Sequence, residues 1–157
     1  MYYVNREEID RRLTFIEMIS DTASQLADAR GRADIVGGNG SVLRFAEERA
    51  VHLAAECVTD IGSYLIDGFV MRDAGSYEDI VDILHGEHVF GDELYPFLQS
   101  LVKLRKPLVQ EFDLVDSEEV IRLTALLAAE LPKFVEAVRI YLETELGSFQ
   151  GYEKNFS

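Results

Sequence analysis

Apolar residues recur every three or four positions through most of this chain, and that spacing constrains the fold more than any other feature. Period-two alternation appears only in fragments too short to build a sheet. The pattern therefore predicts an all-α domain, an antiparallel bundle of four to five helices. The 157 residues suffice for one core and leave little for a second. A single domain is expected over 1–147, with a loose tail over 148–157 after a helix stop at Gly147.

Helix boundaries can be read from capping chemistry. Asn5 with Glu8 forms a capping-box pattern, flanked by Val4 and Ile9 as a hydrophobic staple, and Ile9, Leu13, Ile16, Ala23 and Leu26 mark the buried face of the first helix. Gly31, Gly37, Gly38 and Gly40 lie within an expected connector between Arg30 and Ser41, which lacks the lysine and spacing of a phosphate-binding loop. The second helix should bury Leu43, Ala46, Ala50, Leu53, Cys57, Ile61 and Tyr64 or Leu65, and end near Gly68. Ser76 with Asp79 opens a short third helix that turns Tyr77, Ile80, Val81 and Leu84 inward and stops at Gly86.

The fourth helix carries Leu94, Phe97, Leu98, Leu101, Leu104 and Leu108, with Pro96 in its first turn. Pro107 cannot donate to the carbonyl of Lys103, so the helix should bend there. Asp116 with Glu119 starts the last helix, whose face is Val120, Leu123, Leu127, Leu131, Phe134, Val138 and Tyr141 or Leu142. Pro132 within it predicts a kink or two helices in succession.

Charge narrows the function. Twenty-nine acidic against 15 basic residues give a net charge of -14, which opposes binding of RNA or DNA by overall field and repels an anionic membrane. One cysteine, Cys57, excludes an intrachain disulfide, and no apolar leader or run of about 18 apolar residues is present. A reducing, cytoplasmic setting is expected. Cys57 sits on an apolar stripe and reads as a core thiol, not a nucleophile.

Two polar constellations stand out. On the second helix Arg49, His52, Glu56, Asp60, Ser63 and Asp67 share one face; the first four form a possible polar cleft face, but a solvated or interface-lining face with favourable ion pairs is the simpler reading, because a bundle helix must be polar somewhere. One imidazole and two carboxylates on a single helix do not make a metal site, and Asp82 with His85 supplies no Glu-x-x-His repeat, so no metal and no cofactor are expected. His85 and His88 have no nucleophile to serve. In the second constellation Lys103, Arg105 and Lys106 gather at a helix end, where cations oppose the dipole. In an unbroken helix Arg105 and Gln110 would lie about 140° apart; a break near Pro107 would let both enter one cleft.

The second helix, the segment Gly75-Ser76-Tyr77-Glu78-Asp79-Ile80-Val81-Asp82-Ile83-Leu84 and the segment Leu104-Arg105-Lys106-Pro107-Leu108-Val109-Gln110-Glu111-Phe112 resemble the HepT-like family of HEPN-domain proteins, in its YutE-like branch. The resemblance implies a homodimeric helical bundle in which an Arg-x4-His motif from each subunit lines a shared cleft that cuts RNA without a metal. It also implies a minimal nucleotidyltransferase antitoxin that silences such a toxin by transferring AMP to a tyrosine two positions after the histidine. Position by position, Arg105 matches the arginine, Gln110 replaces the histidine and Phe112 replaces the tyrosine.

An amide cannot exchange a proton near neutral pH, and phenylalanine has no hydroxyl to modify. Two readings follow. The first is a ribonuclease toxin of degraded motif, with Arg105, Lys103 and Lys106 binding RNA or nucleotide phosphate and Gln110 orienting the scissile group. The second is a catalytically inert dimeric regulatory module that binds a nucleotide or a protein; the acidic run Glu111, Asp113, Asp116, Glu118 and Glu119 opposes a polyanion beside Arg105.

Overall fold

Side-chain caps open three of the helices where the sequence predicts them. In the computed structural model, which describes residues 2–36 and 40–154 with side chains over 2–32 and 40–147, Asn5 Oδ1 accepts the Glu8 N–H at 3.2 Å and begins α1 (Arg6–Val36). Ser76 Oγ accepts the Asp79 N–H at 3.1 Å and caps α3 (Tyr77–Gly86). Asp116 Oδ1 accepts from Glu118 and Glu119 at the start of α6 (Ser117–Lys154). The others are α2 (Gly40–Gly68), α4 (Tyr95–Lys103) and α5 (Arg105–Gln110). All regular structure among the described residues is helical.

Among the described residues, three long helices frame the bundle and three short ones complete it. Helix α1 packs along α2 and α6, α2 also touches α6, and the short α3, α4 and α5 cover another side of α2. Ile9, Leu13 and Ile16 of α1, Ile61 and Leu65 of α2, and Leu123, Leu127, Leu131 and Phe134 of α6 are fully buried, as their spacing predicts. Each such side chain contributes roughly 1.5–3 kcal/mol of transfer free energy. Two expected core residues are not in the core: Ala46 and Tyr77 are exposed. No helix among the described residues is long and apolar enough to cross a membrane.

The other differences have local causes. The predicted connector is mostly helix, since α1 reaches Val36 and α2 begins at Gly40; Gly37, Gly38 and Asn39 lie outside the described residues. Arg30 of α1 holds Glu47 of α2 through Nε and Nη2, and Glu47 is only 1% exposed, so a buried, charge-assisted pair closes this hairpin. The expected fourth helix divides at Leu104, whose N–H turns to Leu101. Pro132 lies inside one continuous α6, which excludes the two-helix alternative, and α6 passes through Gly147, where a stop was expected. A helical glycine costs only about 1 kcal/mol relative to alanine, too little to end a helix of this length.

Two glycines permit close approach. A Cβ on Gly62 would stand 2.3 Å from Ile80 Cγ2, so α3 reaches α2 only because that methyl is missing. Gly68 lies under Val4, whose Cα would be 2.9 Å from an added Cβ. The chain reversals themselves fall two residues later. Val70 and His88 carry φ values of 55° and 61°, and Met71 and Val89 donate back to Ile66 and Leu84; these are the 6→1 bonds of Schellman caps with non-glycine residues in the left-handed position.

A β-branched residue is costly there, and Val70 is 77% exposed, with little packing to compensate. Val70→Gly should therefore stabilise the protein by roughly 0.5–1 kcal/mol, the left-handed penalty less the extra chain entropy of glycine. An unchanged or lower urea midpoint for the variant would contradict this account.

Candidate functional site

Pro107 has no N–H for the carbonyl of Lys103, and the helix breaks one turn before the proline. Helix α5 begins after the break, with Arg105 as its first residue. Helix α5 rests on α2, and Arg105 Nε donates to Glu56 Oε1 at 2.6 Å. Tyr77 of α3 lies under the same guanidinium, with Cζ 4.0 Å from the ring centroid, a cation–π contact. Three elements therefore fix one cation. Its hydrogen bond uses Nε alone, so the terminal nitrogens are available to a second anion.

The polar face of α2 divides between two neighbours. His52 Nε2 stands 3.3 Å from the same Glu56 Oε1, and His52 Nδ1 stands 3.4 Å from Arg49 Nη1. Arg49, His52, Glu56 and Arg105 thus form one connected row. Asp60 leaves it: its Oδ2 accepts from Arg12 Nε of α1 at 3.1 Å, and Arg12 also pairs with Glu8. Ser63 and Asp67 are exposed further along. Glu56 is thus committed to Arg105 of α5 and Asp60 to Arg12 of α1. Among the described residues no three His, Cys, Asp or Glu side chains are grouped to hold a metal ion.

Beside the row lies an open cavity of about 240 Å³, lined by Phe45, Glu48, Arg49 and His52 of α2 and Leu108 of α5. Gln110 is the last residue of α5 and is exposed, while Arg105 is largely covered. The bend precedes both residues and leaves them on one short helix, so it does not bring them together in the way the sequence suggested. Lys103 and Lys106 are exposed on either side of Arg105.

The remaining candidates are structural. Cys57 is buried, and burial pushes its thiol up to about 11, far from thiolate reactivity. Asp82 accepts from Tyr95 and Gln99, and His85 Nε2 meets Asp92 Oδ1 at 2.7 Å, so both residues tie α3 to α4 and its approach. Asp79 grips Arg72 through two 2.7 Å bonds and takes the Gly75 N–H, which together hold its carboxyl down to about 2. The role of Tyr77 escapes sequence reading, because an aromatic beside a cap reads as core and nothing links it to an arginine 28 positions later.

Removing the carboxylate should reveal how far the site depends on it. Glu56→Ala leaves a largely covered guanidinium without its anion and should destabilise the protein by about 1–3 kcal/mol. Combined with Arg105→Ala, the loss should fall short of the sum of the single losses; strict additivity in a urea-denaturation double-mutant cycle would show that the pair contributes nothing.

Comparison with known proteins identifies the family and the fold. The family model described as "Ribonuclease HepT-like" matches residues 13–138. The protein named "Putative RNase YutE" from Bacillus subtilis (strain 168) is 40% identical over 153 residues, 98% of this chain and all of that one. The solved structure of YutE from Bacillus subtilis, described as a cytosolic protein of unknown function, matches with a TM-score of 0.77 at 37% identity, over 94% of this chain and 96% of that one. A crystal structure of a toxin–antitoxin with AMP-PNP matches with a TM-score of 0.70 at 15% identity, over 86% of this chain and 99% of that one, a likeness of fold. The chain belongs to the HepT-like ribonuclease family, in the branch that contains YutE.

Proposed function

We propose that this protein is a ribonuclease toxin of the HepT type, working as a homodimer on RNA without a metal, with a weak catalytic site because its Arg-x4-His motif is degraded. The observation that carries the reading is Arg105. It stands at the family's arginine position, clamped by Glu56 and Tyr77 with its terminal nitrogens uncommitted, as a phosphate ligand should be. Lys103 and Lys106 add positive charge on either side.

Gln110 can hydrogen-bond a phosphate or a base but cannot carry a proton, so it orients the scissile group. A minimal nucleotidyltransferase antitoxin is the partner that such a toxin takes. With Phe112 in place of tyrosine, that partner restrains this chain by binding and not by modifying position 112. The rival reading, an inert binding module, draws on exposed Glu111, Asp113, Asp116 and Glu118, which oppose RNA close to the cation.

The dimer reading is supported by exposed apolar residues on and just after the two helices that line the cavity. Val42 and Phe45 on α2 and Val109, Phe112 and Leu114 on and after α5 are 43–77% exposed. A second copy that covers them would also bring two Arg105 sites near each other. Light scattering at micromolar concentration should give about twice the 17.7 kDa chain mass; a monomer alone would remove the shared cleft from the proposal.

Restoring the imidazole tests the catalytic half. Gln110→His should raise cleavage of a labelled RNA by about 10²- to 10⁴-fold, the usual contribution of a positioned acid or base, and the gain should vanish with Arg105→Ala. Failure of a folded Gln110→His dimer to cut would favour the inert module.

A further inference from the structure

We propose that His52 is a catalytic residue of this chain: it takes the proton from the attacking ribose 2′-hydroxyl and so sustains the residual RNA cleavage that Gln110 cannot support. The inference rests on the ribonuclease reading above and assigns a residue outside the Arg-x4-His motif.

Its two neighbours fix the tautomer. Arg49 has only hydrogen-bond donors, so the ring nitrogen that faces it, Nδ1, must present its lone pair. The proton then sits on Nε2, which stands at an ion-pair distance of 3.3 Å from Glu56 Oε1. A carboxylate that orients an imidazole while the opposite nitrogen faces the reaction space is the arrangement of a general base with its positioning group. Glu56 serves here as the positioning residue for two groups, because the same oxygen accepts from Arg105 Nε.

The His52 side chain also borders open space. His52 and Arg49 both line the cavity of about 240 Å³ between α2 and α5, and the Arg49 contact is long at 3.4 Å. A phosphodiester that enters the cavity draws the exposed Arg49 guanidinium to its oxygens, beside the terminal nitrogens of Arg105, and leaves Nδ1 facing the adjacent 2′-hydroxyl. Nδ1 takes the hydroxyl proton as the 2′-oxygen forms its bond to phosphorus. The bond from phosphorus to the 5′-oxygen breaks, and that oxygen takes a proton from water. The products are a 2′,3′-cyclic phosphate and a 5′-hydroxyl end, with no oxidant, reductant or metal consumed.

The charged and titratable groups facing His52 are Glu48, Arg49 and Glu56 of α2 and, across Glu56, Arg105 of α5. A general base acts only in its unprotonated form, so wild-type cleavage should rise with pH.

The test compares wild type, His52→Gln, His52→Asn, Arg105→Ala and Gln110→His on a 5′-labelled RNA. Melting curves check folding, and a 2′-O-methyl RNA that cannot be cut measures binding. In wild type the expected result is slow cleavage to 2′,3′-cyclic ends with a rising pH limb. Both His52 variants should lose 100-fold or more of that rate and the rising limb, with RNA binding and melting unchanged. A His52 variant that cuts as fast as wild type, one that keeps the rising limb, or a wild-type profile without such a limb overturns the assignment. If Gln110→His cuts RNA and wild type does not, His52 is not the base and the degraded-motif reading stands. If neither cuts, both proposals fall.

Discussion

Helix α2 touches all five other helices, and that crowding dictates how the molecule handles charge. A helix surrounded in this way cannot leave ionised groups at its flanks without partners, since an unpaired, half-buried charge costs more than any packing nearby returns. Three of its carboxylates are answered from a neighbouring helix. Glu47 takes Arg30 and Asp60 takes Arg12, both from α1, while Glu56 takes Arg105 from α5. The first two pairs lock a hairpin, and the third organises a site.

The faces of the long helices and the caps of α1, α3 and α6 were legible in the sequence, because both follow from contacts within four residues. The charge pairs were not. Arg105 and Glu56 lie 49 positions apart, Arg12 and Asp60 lie 48 apart, and a polar stripe reads the same whether it faces water or a cation from another helix. Pro107 foretold a break but not its place: its effect is felt at the carbonyl it fails to satisfy, one turn earlier. The helices do stop at Gly68 and Gly86, as read, but the left-handed residues that reverse the chain are Val70 and His88, which local preference does not single out.

The candidate site shows a related limit. Arg105 was identified from the family motif, and the cleft face of Arg49, His52 and Glu56 from spacing alone, but only the fold shows that they are one constellation and that Asp60 is outside it. The motif's second position, Gln110, is exposed at the end of a six-residue helix. Arg105 is instead held by groups from two other elements. The cation therefore depends on the architecture of the bundle, and the amide on its own short helix.

The clamp on Arg105 has two jaws, Glu56 on α2 and Tyr77 on α3, and their separation is set where those helices meet, at the bare Cα of Gly62 against Ile80. Gly62 therefore acts as a gauge for the site from outside it. A single methyl at that point would work as a shim, opening the jaws and loosening the guanidinium without altering any residue that touches it. Relatives in this branch that carry a larger residue there would need a wider arginine clamp or a displaced α3, and the spacing of two helices would then decide how firmly the site's one fixed cation is presented.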